Sequence, residues 1–274
     1  MYVRARIPRP ATRAPRMRLL FLGTGTSFGV PMLGCGCEVC RSSDPRDKRT
    51  RVGALIETDD GMRILIDTPP ELRLQLIAAG IDRIDAVLFT HDHADHTHGI
   101  DDLRAFTVRR DAPLPMYGSA ATLESLRRKF TYIFDDSRPV AGTSKPEGRA
   151  HVVEAEVPFL IGDVEILPVA IPHGPITVFA FRIGPLAYIT DAKSVPPTAI
   201  QRFRGASVLV INALFRTEHP THLSIPESLR VAAAIGAERT YLIHLTHDNF
   251  HADLEAELPR GVAPAFDGLT VRIE

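Results

Sequence analysis

Residues 90–99 read THDHADHTHG, which places four of the eleven histidines and two aspartates within ten positions. Imidazole and carboxylate are the usual donors to zinc and manganese, so the stretch reads as a metal-binding loop or as an adventitious surface histidine tract. On extended chain His91 and His93 project to one side, because side chains alternate with period two. Asp95 and His96 follow as the chain turns towards a helix, and so can face a neighbouring position. That division suits two adjacent ions better than one. Each ion needs three or more protein ligands and keeps a position for water, so four local residues cannot complete two sites.

Three further candidates end apolar runs. His173 ends ILPVAIPH, Asp191 ends LAYITD and His244 ends TYLIH, and loops after strands are where a rigid scaffold displays site residues. The resulting set is His91, His93 and His173 on one ion and Asp95, His96 and His244 on the other. Asp191 is shared, one oxygen to each ion. Two ions about 3.5–4 Å apart hold a bridging hydroxide and clamp both oxygens of an in-line displacement. His98 lies just past the loop and reads as a supporting or merely exposed residue.

The elements that must position these residues follow from pattern. RLLFLG (18–23) is a strand stopped by glycines. GALIETDDGMRILIDT (53–68) is a hairpin around Asp60-Gly61. PELRLQLIAAG (70–80) has Leu72, Leu76 and Ile77 at helical spacing, and IDAVLFT (84–90) is a buried strand feeding the His/Asp loop. After a less regular middle, with a strand LPMYG, a helix around 120–130 and a polar loop at 136–149, three strands run through GDVEILPVAIPH, ITVFAFRIG and PLAYITDA. ASVLVINAL (206–214) is a further strand, IPESLRVAAAIGA a helix with Pro226 in its first turn, and RTYLIHLTH a strand ending in histidines. Both halves run from strands through a helix to a strand. This predicts one α/β domain with sheets inside and helices outside.

The 274 residues are 45% hydrophobic and 24% charged with net charge −1. That balance is ordinary for a packed globular chain and gives no reason to expect a polyanion as main partner. No apolar run reaches the roughly 20 residues of a spanning helix. Residues 1–16 carry five arginines, three prolines and no acid, and read as a disordered extension ahead of a domain over 17–274, or as a basic arm. The three cysteines, Cys35, Cys37 and Cys40, fall in one hexapeptide. Such an odd, clustered set makes a poor disulfide framework and a better soft-metal site in a reducing compartment, cytoplasm by default. Zinc wants a fourth ligand, for which His247 is best placed; free, buried or redox-active thiols are the alternative.

The run HxHxDH at 91–96, followed in order by His173, Asp191 and His244, resembles the metallo-β-lactamase superfamily from LLFLGTGTS to AFDGLTV. The resemblance implies a four-layer αβ/βα sandwich and a metal-dependent hydrolase with two divalent ions, zinc or manganese. It also implies that Asp67, in LIDT, supports the site through a hydrogen bond to a ligand. Within the superfamily the chain is most similar to the phosphoribosyl cyclic phosphodiesterase branch, which shares the Cys-x-Cys-x2-Cys turn and a histidine three residues after the last active-site ligand. That likeness implies a closed structural zinc on Cys35, Cys37, Cys40 and His247, and a homodimer.

In HPTHLSI (219–225), His222 resembles the histidine that phosphodiesterase members place beside the metals as general acid, and His219 is a candidate phosphate contact. His222, Asp95 and Asp191 are then the residues expected to carry catalysis. The implied substrate is a small cyclic phosphate ester, 5-phosphoribosyl 1,2-cyclic phosphate or a related nucleotide. A ribonuclease Z-like transfer-RNA nuclease ranks second, because the 136–149 loop is a short and weakly basic counterpart of that family's arm, and nucleic acid is not the expected partner. A non-catalytic carrier resembling PqqB ranks third, since every ligand is present here. Arg104 and Arg109, near the loop, are candidate phosphate contacts.

Overall fold

The computed structural model describes residues 16–110, 112–135 and 143–274. The extension at 1–15 and most of the polar loop, 136–142, lie outside the described residues. Two seven-stranded sheets form the centre of the molecule. The first takes β1 (Met17–Gly23), β2 (Gly53–Thr58), β3 (Arg63–Ile66), β4 (Ala86–Leu88), β5 (Leu114–Gly118) and β6 (Gly148–Val152). The second takes β7 (Phe159–Ile161), β8 (Val164–His173), β9 (Ile176–Ile183), β10 (Leu186–Ile189), β11 (Val208–Asn212), β12 (Arg239–Ile243) and β13 (Val262–Pro264). The last strand, β14 (Thr270–Ile273), returns to the free edge of β1.

Strand periodicity explains the layering. Ile64 and Ile66 face the second sheet, where they meet a core containing Phe159, Phe181, Tyr188 and Val210. The intervening Leu65 faces outward, packed with Leu72, Leu76, Leu103 and Leu126 from the helices on that side. The second sheet repeats the pattern, with Val208 and Val210 inward and Leu209 and Ile211 outward against Phe203, Ile235 and Leu254. The central strands β4, β10 and β11 are buried on both faces, which is why they read as continuous apolar runs. Helix, sheet, sheet, helix gives the four layers of the expected sandwich.

The hairpin at Asp60-Gly61 forms as expected, with Ala54 to Glu57 paired antiparallel to Arg63 to Ile66. The helix Ile225–Ile235 opens with a Ser224–Glu227 capping box and Pro226 in the first turn, and closes on Gly236 at φ 75°; both ends follow from sequence. Some boundaries differ from the pattern. The loop assigned to 136–149 ends earlier, because Gly148 and Arg149 already pair with Leu114 and Pro115 as β6. The cysteine turn contains a short helix, Glu38–Arg41, whose N-cap is Cys37.

One edge of the sandwich collects the chemistry. β3 and β4 run parallel, as do β10, β11 and β12. β8 runs in the same direction as β10, because both are antiparallel to β9. All these strands end at one rim, where ligands of open α/β sheets bind. His91, His173, Asp191 and His244 sit at or just after those ends.

Candidate metal centre

At that rim the backbone leaves its ordinary conformations. Asp67, Asp191 and His244 have φ of 61°, 50° and 59°, a left-handed region that non-glycine residues rarely occupy. Each follows the end of a strand at the rim. Strain of this kind persists only where surrounding contacts hold it. Those contacts are present: Asp67 accepts from the Thr90 amide at 2.8 Å, from the Thr90 hydroxyl at 2.7 Å and from His96 Nδ1 at 2.7 Å. Across the sheets, the Phe179 amide donates to the Thr90 carbonyl.

The metal loop has the shape its sequence suggests. His93 is extended and is the N-cap of the short helix Ala94–Thr97, so Asp95 and His96 lie in a helical turn, with the His96 ring 4.2 Å from that of His91, centroid to centroid. Two groups result. His91, His93, His173 and Asp191 offer donor atoms within 4.8 Å of one another, and so do Asp95, His96, Asp191 and His244. Asp191 belongs to both. Its Oδ2 is 3.7 Å from His91 Nε2 and 3.3 Å from His96 Nε2, while its Oδ1 is 3.5 Å from His244 Nε2.

The donor set fits divalent ions. Nε2 of His91, Nε2 of His96 and both ring nitrogens of His244 are buried without a hydrogen-bond partner, a state that buried polar atoms avoid unless something else satisfies them. The outer nitrogens are already spoken for, since His96 Nδ1 meets Asp67 and His173 Nδ1 donates to the Thr221 carbonyl at 2.8 Å. That leaves Nε2 aimed inward on both rings, the orientation usual for metal-ligating histidine. Charge agrees. Burial alone would raise the Asp191 carboxyl, but the rings of His244, His96 and His222 outweigh it and hold it well below the carboxylate range. Burial and the neighbouring His96 push His91 well below its ordinary value, so it stays a neutral donor.

His222 stands beside both groups, its Nε2 3.3 Å from Asp191 Oδ2 and its Nδ1 2.9 Å from the Thr221 hydroxyl. His219 lies one step further out and accepts from the Thr221 amide. His98 joins neither group; its Nδ1 meets Thr97 and its ring packs edge-on against Phe130. The arginines are a correction. Arg109 donates to the Asp82 carbonyl, before the start of β4 and away from the end that carries His91. Arg104 is held by Asp101 and the Ser144 carbonyl. Both line a cavity of about 590 Å³, with Asp101 and Asp102, that is lined by none of the seven residues of the two groups. Pattern reasoning also missed Thr221, Thr90 and Asn212, which hold the site through hydroxyl, amide and carbonyl groups and carry no motif signal.

The cysteine cluster closes on His247. Nδ1 of His247 is 3.3 Å from Cys37 Sγ and 3.5 Å from Cys35 Sγ, and Cys40 completes a four-residue group within 4.8 Å. The His247 ring and the Cys40 amide bring the Cys37 thiol down to about 6, whereas burial lifts Cys40 to about 11. The loop carrying them runs beside His244, with the Leu245 amide donating to the Thr24 carbonyl.

A four-layer sandwich with paired His/Asp groups on one rim defines a class. Residues 62–245 match the family model described as the β-lactamase superfamily domain, and the chain belongs to the metallo-β-lactamase superfamily, in its PhnP-like branch. The solved structure described as a new diphosphatase from the PhnP family superposes with a TM-score of 0.87 at 36% identity, covering 94% of this chain and 97% of that one. A curated relative from Porphyromonas gingivalis, named octanoyltransferase, is 41% identical over 94% of this chain and 52% of its own length. A coenzyme PQQ synthesis protein B from Rhodopseudomonas palustris is 33% identical over 47% of this chain and 46% of its own. The chain thus spans about half the length of these two curated relatives. Among the described residues no helix is long and apolar enough to cross a membrane.

Proposed function

We propose that the chain is a dimetal phosphodiesterase that hydrolyses a small phosphate ester. The candidate substrates are 5-phosphoribosyl 1,2-cyclic phosphate, a related nucleotide, or the diphosphate linkage suggested by the diphosphatase relative. The observation that carries this reading is Asp191, common to both His/Asp groups and 3.3 Å from His222 Nε2. His91, His93 and His173 would hold one ion, Asp95, His96 and His244 the other, with Asp191 between them. Zinc or manganese bound there would supply Lewis acidity towards the phosphoryl group and a water of lowered pKa.

The protein's own part is positional and protonic. The rings are fixed by Asp67 and by the Thr221 carbonyl, so the phosphoryl group meets a rigid array rather than one assembled at cost. Water adds to phosphorus and the bond to the leaving oxygen breaks. That oxygen receives the proton from His222 Nε2, while the proton of the water is released to solvent. Thr221 holds the His222 ring from the Nδ1 side, as a general acid requires.

Cys35, Cys37, Cys40 and His247 support a separate structural zinc that ties the cysteine loop to the strand end bearing His244. We read the protein as cytoplasmic and homodimeric, with a small phosphorylated ribose or nucleotide as its partner. The octanoyltransferase name belongs to a relative of which this chain spans about half, and we assign the transfer to the half of that relative without a counterpart here.

The test is hydrolysis of 5-phosphoribosyl 1,2-cyclic phosphate, a diphosphate diester, an aryl phosphodiester and a transfer-RNA precursor by zinc- and manganese-loaded protein. Metal-dependent opening of the small esters, with little action on RNA, is the expected result. Cleavage of the precursor alone would move the reading to a nuclease, and silence with metals bound would move it to a carrier.

A further inference from the structure

The segment after Asp191 brings a cation to the rim. The Ala192 amide donates to Asn212 Oδ1 at 2.9 Å, the Leu223 amide to the Ala192 carbonyl at 2.7 Å, and the Lys193 amide to the Pro172 carbonyl at 2.8 Å. The backbone of Lys193 is thereby fixed against the segments that carry His173, Asp191 and His222. Its Nζ lies 3.0 Å from Glu227 Oε1, with 29% of the side chain exposed. Glu227 is shared, because its other oxygen accepts from the amide and the hydroxyl of Ser224 in the capping box. An ammonium carries three donors, and Glu227 takes one.

A second donor stands beside His222. The Thr221 amide donates to His219 Nδ1, which places the His219 proton on Nε2. The His219 ring lies 5.4 Å from the His222 ring, centroid to centroid, which sets its Nε2 proton at the rim. On the other flank, Lys129 is committed twice to Asp92, through the carbonyl and the carboxylate, and has less to offer a ligand.

We propose that Lys193, with the Nε2 proton of His219, binds a second, non-reacting phosphoryl group, so that the site selects small molecules bearing two phosphoryl groups. This rests on the phosphodiesterase reading and adds its substrate specificity. The second group has two possible sources, a phosphate on the ribose 5-hydroxyl or the adjacent phosphate of a diphosphate diester. Both present the same dianionic or monoanionic oxygens to the ammonium.

Two substrate pairs separate them. The first is 5-phosphoribosyl 1,2-cyclic phosphate against ribose 1,2-cyclic phosphate, and the second a diphosphate diester against the matching monophosphate diester. Each is measured with the metal-loaded wild type and with Lys193→Ala, Lys193→Gln and Lys193→Arg, after metal content and thermal unfolding establish that each variant is folded. In one pair, loss of the ammonium is expected to lower kcat/KM for the doubly phosphorylated member about 10- to 100-fold more than for its partner. The effect should fall mainly on KM, and Lys193→Arg should restore most of it. The pair that responds identifies the source. Equal losses on both members, or an arginine variant as impaired as the alanine one, would overturn the assignment while leaving the phosphodiesterase intact. A wild type that hydrolyses no member of either pair would bring down the phosphodiesterase reading, and this inference with it.

Discussion

The Asp67 carboxylate lies 2.7 Å from Nδ1 of His96, and both side chains are fully buried. The bond fixes the ring so that Nε2 faces the Asp95–Asp191–His244 group. Asp67→Asn keeps an acceptor for the Thr90 amide and tolerates the left-handed backbone, but its amide turns a donor towards Nδ1 and reverses the tautomer. One of the two active-site ions is then expected to bind about 10- to 100-fold more weakly. Competition with a chromophoric chelator measures this, and an unchanged affinity would remove Asp67 from the metal account.

Gly174 follows His173 at φ 57°, and a Cβ there would come 2.6 Å from Thr221 Cγ2. Thr221 supplies the carbonyl that holds His173, so Gly174→Ala should displace that contact, cost about 1–3 kcal/mol of stability and lower turnover. Gly205 has φ 75° with nothing within 4 Å of its Cβ. Gly205→Ala therefore bears the backbone penalty alone and should keep its turnover. Comparable turnover losses in both variants would mean that the Thr221 contact is not what matters.

His222→Ala removes the proposed acid and its contact with Asp191 but leaves all seven residues of the two His/Asp groups in place. Turnover should fall about 100- to 10,000-fold with both active-site metals retained, and the loss should shrink for an aryl ester whose leaving group needs no proton. Metal analysis beside single-turnover kinetics separates these effects. A fully active variant would reassign the proton.

Cys37 is the N-cap of the helix Glu38–Arg41 and the thiol nearest His247. Cys37→Ser should reduce bound zinc by about one equivalent and lower the unfolding temperature, with hydrolysis reduced through the neighbouring His244 strand end. Unchanged zinc content would show that the cluster holds thiols rather than metal.

The paired His/Asp groups were legible in sequence because all seven of their residues are histidines or aspartates, four in one ten-residue stretch and three at the ends of apolar runs, and strand direction then carries those ends to one rim. Two features of the loop were legible for the same reason: period two for His91 and His93, and a helical start for Asp95 and His96. What escaped acts through backbone. Thr221 works by its carbonyl and amide, and Lys193 is fixed by its own amide, so residue type announces neither. The arginines misled because sequence proximity to the loop says nothing about which end of β4 a helix returns to; Arg109 returns to the Asp82 end. β6, β7, β13 and β14 also escaped. They are short, and β6 and β13 carry glycine or proline, so their pairing is decided by neighbours rather than by their own pattern.

The most direct test of a metal-dependent phosphoryl hydrolase built around Asp191 is hydrolysis in heavy-oxygen water, followed by phosphorus NMR. The metal-loaded wild type should place one solvent oxygen on the product phosphorus, and neither the metal-stripped protein nor Asp191→Ala should do so at a comparable rate. Label on carbon instead of phosphorus, or equal incorporation by Asp191→Ala, would contradict it.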